Sequence, residues 1–321
     1  MRKTVTKRLQ ILSGTHHPQL AAKVARKLGV KPTRVQIEKF ANGEIKCRIE
    51  ESVRGADVYI FQTHSQPIND AIVEQAIMID AAKRASALRI TAICPFLGYS
   101  RQDRKASSRE PISAKLIIDI LATAGADRIV SIDLHSGQIQ GFFNGPFDHL
   151  TALPVLTNYL KKHFVKDLVI VAPDAGRVKV ADRCAIKLQA GLAIVHKKRR
   201  GSGQAEALNI IGDVKNQHCV IVDDMIDTAS TVVPAAALLK NQGAKTVTVL
   251  ATHGLFSDPA TERLAGSNID RVIVTDTLPL RLKSARPKIE VVSIADLLAS
   301  AIKAIFEGSS VSAIFKGDNH I

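Results

Sequence analysis

Short apolar runs rich in β-branched residues alternate with longer amphipathic stretches along the whole chain, and this alternation restricts the possible folds more than any single motif. In the first half, residues 57–63, 88–95 and 128–133 have the length and composition of strands. Between them, residues 18–28 place Leu20, Val24 and Leu28 on one helical face, and residues 68–85 and 113–124 carry similar periodicity. Gly29 and Gly125 stand where helix C-caps belong. Residues 44–50 alternate with period two and predict a half-exposed strand. The second half repeats the theme, with strands at 167–172, 193–196, 218–223, 246–252 and 271–275 and helices at 178–189, 230–242 and 294–306. The expectation is an α/β fold of mainly parallel sheets flanked by helices. The turn-rich segment 141–154 divides it into domains at 1–150 and 151–321.

Composition removes several alternatives. No apolar run approaches the roughly 18–20 residues that span a bilayer, and the basic N-terminus precedes too short an apolar stretch for a signal peptide. Four widely spaced cysteines without a CxxC pair predict reduced thiols in a cytoplasmic protein. Lys and Arg outnumber Asp and Glu by 44 to 30, giving a net charge of +14. The basic residues are dispersed, and aromatics make up only 4%, so a nucleic-acid platform is not expected. A solvated surface accounts for most of that charge, and focusing of multiply anionic small substrates for the rest.

The strongest local signal is residues 220–232, VIVDDMIDTASTV: a strand running into two carboxylates, then small and hydroxyl residues, then a helix. Parallel sheets bind ligands at the carboxyl ends of their strands, and a turn that opens a helix offers N–H and hydroxyl donors to a phosphate. Asp223 and Asp224 would repel that phosphate, so sugar hydroxyls or Mg²⁺ are their sensible partners. In Asp133-Leu134-His135 the two polar side chains would share a strand face.

The 220–232 run resembles the ribose 5-phosphate loop of type I phosphoribosyltransferases and ribose-phosphate pyrophosphokinases. FLGYSRQDRKASSREPISAK at 96–115 and DLHSGQIQGFF at 133–143 resemble segments of the pyrophosphokinases in particular, as do FANGE at 40–44 and ESVRG at 51–55. The resemblance spans about Leu9 to Phe315 and implies two phosphoribosyltransferase-like domains. It also implies transfer of a diphosphoryl group from MgATP to the 1-hydroxyl of ribose 5-phosphate, giving AMP and PRPP for nucleotide, histidine and tryptophan biosynthesis. Carried over, Phe40, Asn42, Gly43, Glu44, Arg101, Gln102 and Asp103 would bind ATP, the first four completing the site of an adjacent subunit. Asp223, Asp224, Asp227, Thr228, Ala229, Ser230 and Thr231 would bind ribose 5-phosphate. Asp133, His135 and Asp174 would serve Mg²⁺ or its water shell. Lys197 and Arg199, in a flexible loop, would stabilise the transition state. A homohexamer built from dimers, with ADP and phosphate as effectors, is the implied assembly.

Two places depart from the commonest family pattern. Ser230 stands where Gly is usual, and the loop at 173–183 carries Arg177 and Val180 where Gly and Arg are common. Two rival readings follow: a regulatory subunit of the same family, and a phosphoribosyltransferase.

Overall fold

The computed structural model describes residues 8–163, 166–198, 207–280 and 288–315. These fall into two compact units. The first gathers the chain up to Thr151, Thr277–Pro279 and the segment from Ile294; the second comprises Ala152–Asp276 and Leu280–Ser293.

The first unit is built on a five-stranded parallel sheet. Its elements in chain order are β1 (Leu9–Ser13), α1 (Pro18–Lys27), β2 (Val35–Lys39), β3 (Ile45–Ile49), β4 (Asp57–Phe61), α2 (Ile68–Arg84), β5 (Arg89–Cys94), α3 (Ser113–Ala124), β6 (Arg128–Ile132) and β7 (Phe147–Leu150). The strand order is β1-β4-β5-β6-β7, and β2 and β3 form a separate antiparallel pair. All five residues of β4 are buried, as expected of a parallel strand covered on both faces. Val58, Ile60, Ala92, Ile129, Met78, Ile79, Ile118 and Leu121 form the core against α2 and α3.

The second unit continues with α4 (Leu153–His163), β8 (Leu168–Ala172), α5 (Val178–Leu188), β9 (Gly191–Lys198), β10 (Ala207–Ile211), β11 (His218–Ile226), α6 (Val232–Asn241), β12 (Thr246–Gly254), α7 (Ala260–Ala265), β13 (Arg271–Thr275) and β14 (Lys288–Val292). Its seven-stranded sheet has the order β10-β9-β8-β11-β12-β13-β14, parallel except for the β10–β9 pair. The last helix, α8 (Ala295–Glu307), belongs to the first unit although the sequence reading grouped it with the second half. Lys27 of α1 pairs with Asp296, and Arg89 donates to the Ile305 carbonyl at 3.2 Å while bridging to the buried Asp57 carboxylate at 2.7 Å.

Three further local expectations need correction. Strand β6 ends at Ile132, and Asp133 turns into the left-handed region at φ 37°, so the strand-face argument for Asp133 and His135 does not apply. The basic run begins inside a strand rather than a loop: His196 pairs with Asn209 and Lys197 with Leu208 in the β9–β10 ladder. That pairing satisfies backbone groups that a loop would leave to water, and so extends the strand through polar residues. The helix expected from residue 230 starts at Val232. Arg199 lies outside the described residues.

Candidate active site

In the second unit the site grows from an offset between neighbouring strands. The β11–β8 ladder closes at Ile221 opposite Val171, whereas β11 stays paired with β12 as far as Ile226 opposite Gly254. Asp223 and Asp224 therefore extend past the end of β8, beside the turn that follows it. In that turn Asp174 accepts from the backbone N–H groups of Gly176 and Arg177, at 2.9 and 3.2 Å, and so fixes the approach to α5. The Arg177 guanidinium lies between the two carboxylates, with Nε 3.1 Å from Asp223 and Nη2 2.6 Å from Asp224. These three side chains are 15% exposed or less. Burial and the adjacent Asp224 carboxyl outweigh Arg177 and push Asp223 well above the usual carboxylate range.

Beyond β11 the chain makes the turn Asp227–Thr231 and enters α6. Ala229 adopts φ 59°, and its carbonyl already accepts from Val233 at 3.2 Å. The Thr228 hydroxyl donates to Ser230 Oγ at 3.1 Å, and Arg263 of α7 donates to the Thr228 carbonyl at 3.0 Å. The first turn of α6 holds no acidic residue and no side-chain cap, which leaves the positive end of the helix to an anionic ligand. Arg263 is a supporting residue that sequence reasoning missed. It lies 35 positions from the turn, and nothing in its local sequence singles it out.

The first unit carries the other candidates on two segments. Phe40, Asn42, Gly43 and Glu44 form the tip joining β2 to β3. There the Phe40 N–H donates to the Glu44 carbonyl at 2.8 Å, and Gly43 has φ 92°. Phe40 is 54% exposed. Arg101, Gln102 and Asp103 lie on the loop after β5, where Gln102 Oε1 accepts from the Ser113 hydroxyl at 2.7 Å. Both segments are anchored on the first turn of α2. Lys39, at the root of the tip, pairs with Asp70, and the Tyr99 hydroxyl donates to Asn69 at 2.6 Å.

The loop itself hangs on a buried, uncharged network. The Gly98 N–H donates to His64 Nδ1 at 3.0 Å, so Nε2 carries the proton and donates to Gln75 Oε1 at 2.9 Å. Gln75 in turn donates to the carbonyls of Ile60 and Ile93 at the ends of β4 and β5. The Phe96 N–H donates to the Thr63 hydroxyl at 3.2 Å, which donates to the Thr277 carbonyl at 2.7 Å. Gly98 allows a close approach here, since an added Cβ would meet Ile68 Cδ1 at 2.8 Å and His64 Cβ at 3.0 Å. Burial lowers the His64 pKa to about 4, which keeps the ring neutral at pH 7.

Asp133 and His135 follow β6, His135 being exposed and Asp133 half-buried. Among the described residues no three His, Cys, Asp or Glu side chains cluster as a metal cage. Nor is any helix among them long and apolar enough to cross a membrane.

Comparison with known proteins bears on both units. Residues 9–125 match the N-terminal domain of ribose phosphate pyrophosphokinase, and residues 202–316 match the phosphoribosyl synthetase-associated domain. The chain is 52% identical over 315 residues to the ribose-phosphate pyrophosphokinase of Bifidobacterium longum, covering 96% of this chain and 93% of that protein. It is 50% identical over 316 residues to the Mycobacterium tuberculosis enzyme of the same name, covering 97% of each. The crystal structure of phosphoribosylpyrophosphate synthetase from Mycobacterium smegmatis superposes with a TM-score of 0.89 at 50% identity, covering 94% of this chain and all of that one. Similarity of this extent along nearly the full length means that the chain is an enzyme of the ribose-phosphate pyrophosphokinase family.

Proposed function

We propose that the protein transfers the β,γ-diphosphoryl group of MgATP to the 1-hydroxyl of ribose 5-phosphate, releasing AMP and forming PRPP. The observation that carries this reading is the acid pair Asp223–Asp224 followed directly by the uncapped turn into α6. Carboxylates accept hydrogen bonds from the sugar hydroxyls, while the turn Asp227–Thr231 receives the 5-phosphate on N–H and hydroxyl donors. On this reading Asp227, Thr228, Ala229, Ser230 and Thr231 hold the phosphate end of the sugar. The tip Phe40–Glu44 and the loop Arg101–Asp103 serve the nucleotide, the tip across a contact between subunits of a hexamer built from dimers.

Mg²⁺ enters as part of the nucleotide substrate. It is usually held by one or two carboxylates, waters and substrate phosphates rather than by a dedicated protein cage. Asp133, His135 and Asp174 are the residues to hold the ion or its waters, and its charge would offset that building on the phosphate oxygens. The remaining chemistry needs an in-line approach of the anomeric hydroxyl to the β-phosphorus and cations where charge accumulates, a role for Lys197 and Arg199. No strong general base is required, because positioning and charge neutralisation carry most of phosphoryl transfer.

Incubating the protein with MgATP and ribose 5-phosphate should yield AMP and PRPP in equal amounts. Absence of AMP over a range of Mg²⁺ and phosphate concentrations would instead mark a regulatory subunit. PRPP consumption with a free base would mark a phosphoribosyltransferase.

A further inference from the structure

The carboxyl groups that the proposed reaction assigns to the sugar already have a partner within the chain. Arg177 contacts both, each within hydrogen-bond distance and largely out of solvent. A ligand hydroxyl bound to Asp223 Oδ1 or Asp224 Oδ2 has to share or take over an acceptor that now serves the guanidinium. Arg177 is placed to leave. It sits at the mouth of a short turn, immediately before α5, with its backbone at φ −98° and ψ 0°, in the bridge region where many active-site residues are found. The turn is held through Asp174, which accepts from the backbone N–H groups of Gly176 and Arg177. The guanidinium can therefore swing on its own rotamers without unmaking the turn.

The geometry points to Arg177 as a built-in competitor for the sugar site, an internal cation that neutralises the acid pair while the site is empty and is displaced when ribose 5-phosphate binds. This inference rests on the assignment of Asp223 and Asp224 to the sugar. In the resting protein only the fraction of molecules with Arg177 swung out can accept the sugar, so apparent affinity is reduced by that fraction. The arrangement keeps the charge of the buried acid pair from standing uncompensated between turnovers, a state that is costly when one partner of a buried ion pair is missing.

The sign of one measurement separates this role from a structural one. Removing a cation that only braces the site would loosen it and weaken sugar binding, whereas removing a competitor tightens binding. Calorimetric titration of ribose 5-phosphate, without nucleotide, is to be compared for the wild type, Arg177→Gln and Arg177→Lys, with thermal melts verifying that each variant is folded. Arg177→Gln should bind the sugar phosphate about tenfold more tightly, the scale expected if about one molecule in ten is open at rest. Arg177→Lys keeps the charge but cannot fork between two carboxylates, so its affinity should fall between the other two. Unchanged or weaker binding by a folded Gln variant overturns the inference, as does binding by none of the three proteins. A crystal of the wild type with ribose 5-phosphate bound and Arg177 still bridging both carboxylates overturns it as well. Because the titration needs no transfer step, tighter binding by the variant supports the inference even if no AMP is ever formed. AMP formation with weaker sugar binding by the variant would leave the proposed reaction standing and remove Arg177 from it.

Discussion

The two units hold their candidate binding segments by opposite means. In the first, the loop carrying Arg101–Asp103 is tied to the sheet by neutral hydrogen bonds running from Gly98 through His64 and Gln75 to the ends of β4 and β5. In the second, the turn before α5 and the end of β11 are tied by charge, with one guanidinium set against the Asp223–Asp224 acid pair. A neutral network fixes geometry and is expensive to break, because any missing member strands a buried donor or acceptor. An ionic contact can be exchanged for another polar partner, which suits a site whose ligand brings its own hydroxyls. The contrast suggests that the loop proposed for the nucleotide is preset and the site proposed for the sugar is exchangeable.

The largest expected effect comes from a residue that belongs to neither tether. Lys197→Ala should lower kcat by ~10²–10³, a loss of about 2.7–4 kcal/mol of transition-state stabilisation, with little change in melting temperature. Lys198→Ala, next in the same strand, is the control; equal and modest losses in the two would reduce the basic run to a diffuse positive patch. His64→Leu should show the converse pattern. Stranding the Gly98 N–H and the Gln75 carbonyl should cost about 2–4 kcal/mol of stability and raise the KM for ATP, and a silent substitution would break the contrast drawn above.

Acid and base should separate the units as well. His64 titrates near 4 when folded, below the ordinary histidine value near 6.5. The unfolded chain thus binds more protons in that interval, and the first unit loses stability as pH falls through it, by up to about 3 kcal/mol. Asp223 is displaced the other way, so the folded second unit retains a proton that the unfolded chain has lost. Its stability falls as pH rises above the ordinary carboxylate range. Hydrogen exchange resolved by unit, at pH 5 and pH 8, should show the first unit opening more readily in acid and the second in base. The same direction in both would refute the assignment of either group.

The smallest effects concern the turn proposed for the phosphate. Ser230→Gly restores the commoner family residue and should shift ribose 5-phosphate affinity by no more than about tenfold, or ~1.4 kcal/mol, in a calorimetric titration. The backbone strain lies one residue earlier, at Ala229 with φ 59°. Ala229→Gly should therefore raise stability by up to ~1 kcal/mol in urea unfolding, since only glycine takes that conformation freely.

The parallel sheets and most helices were legible because buried strands and amphipathic helices leave opposite periodicities in sequence. The acid pair and the turn after β11 were legible as well, being contiguous. Strands β2, β7, β10 and β14 were not read as such: β7 is four residues long within a turn-rich stretch, and β10 follows the basic run. Ser230 stood out as a departure from pattern, yet the φ of Ala229 carries no mark in composition. Arg263, the His64–Gln75 tether and the Arg177 bridge were invisible for a common reason. Each joins segments distant along the chain through side-chain reach, which no local window records. Arg177 stood out as a substituted glycine and a candidate source of positive charge, but its two carboxyl partners are 46 and 47 positions away.

The placement of α8 has a consequence for how the chain is made. The first unit opens the sequence, yet it also takes in the segment from Ile294, whereas the second unit is encoded almost entirely between those parts. A ribosome releases the start of the first unit early and its closing helix last. Until residue 305 emerges, Arg89 lacks the Ile305 carbonyl as an acceptor and α1 lacks the Asp296 partner of Lys27. The nascent first sheet must therefore wait, incompletely covered, while the whole second unit is synthesised and is free to fold. The unit begun later can be finished first, reversing the usual N-to-C order of domain completion.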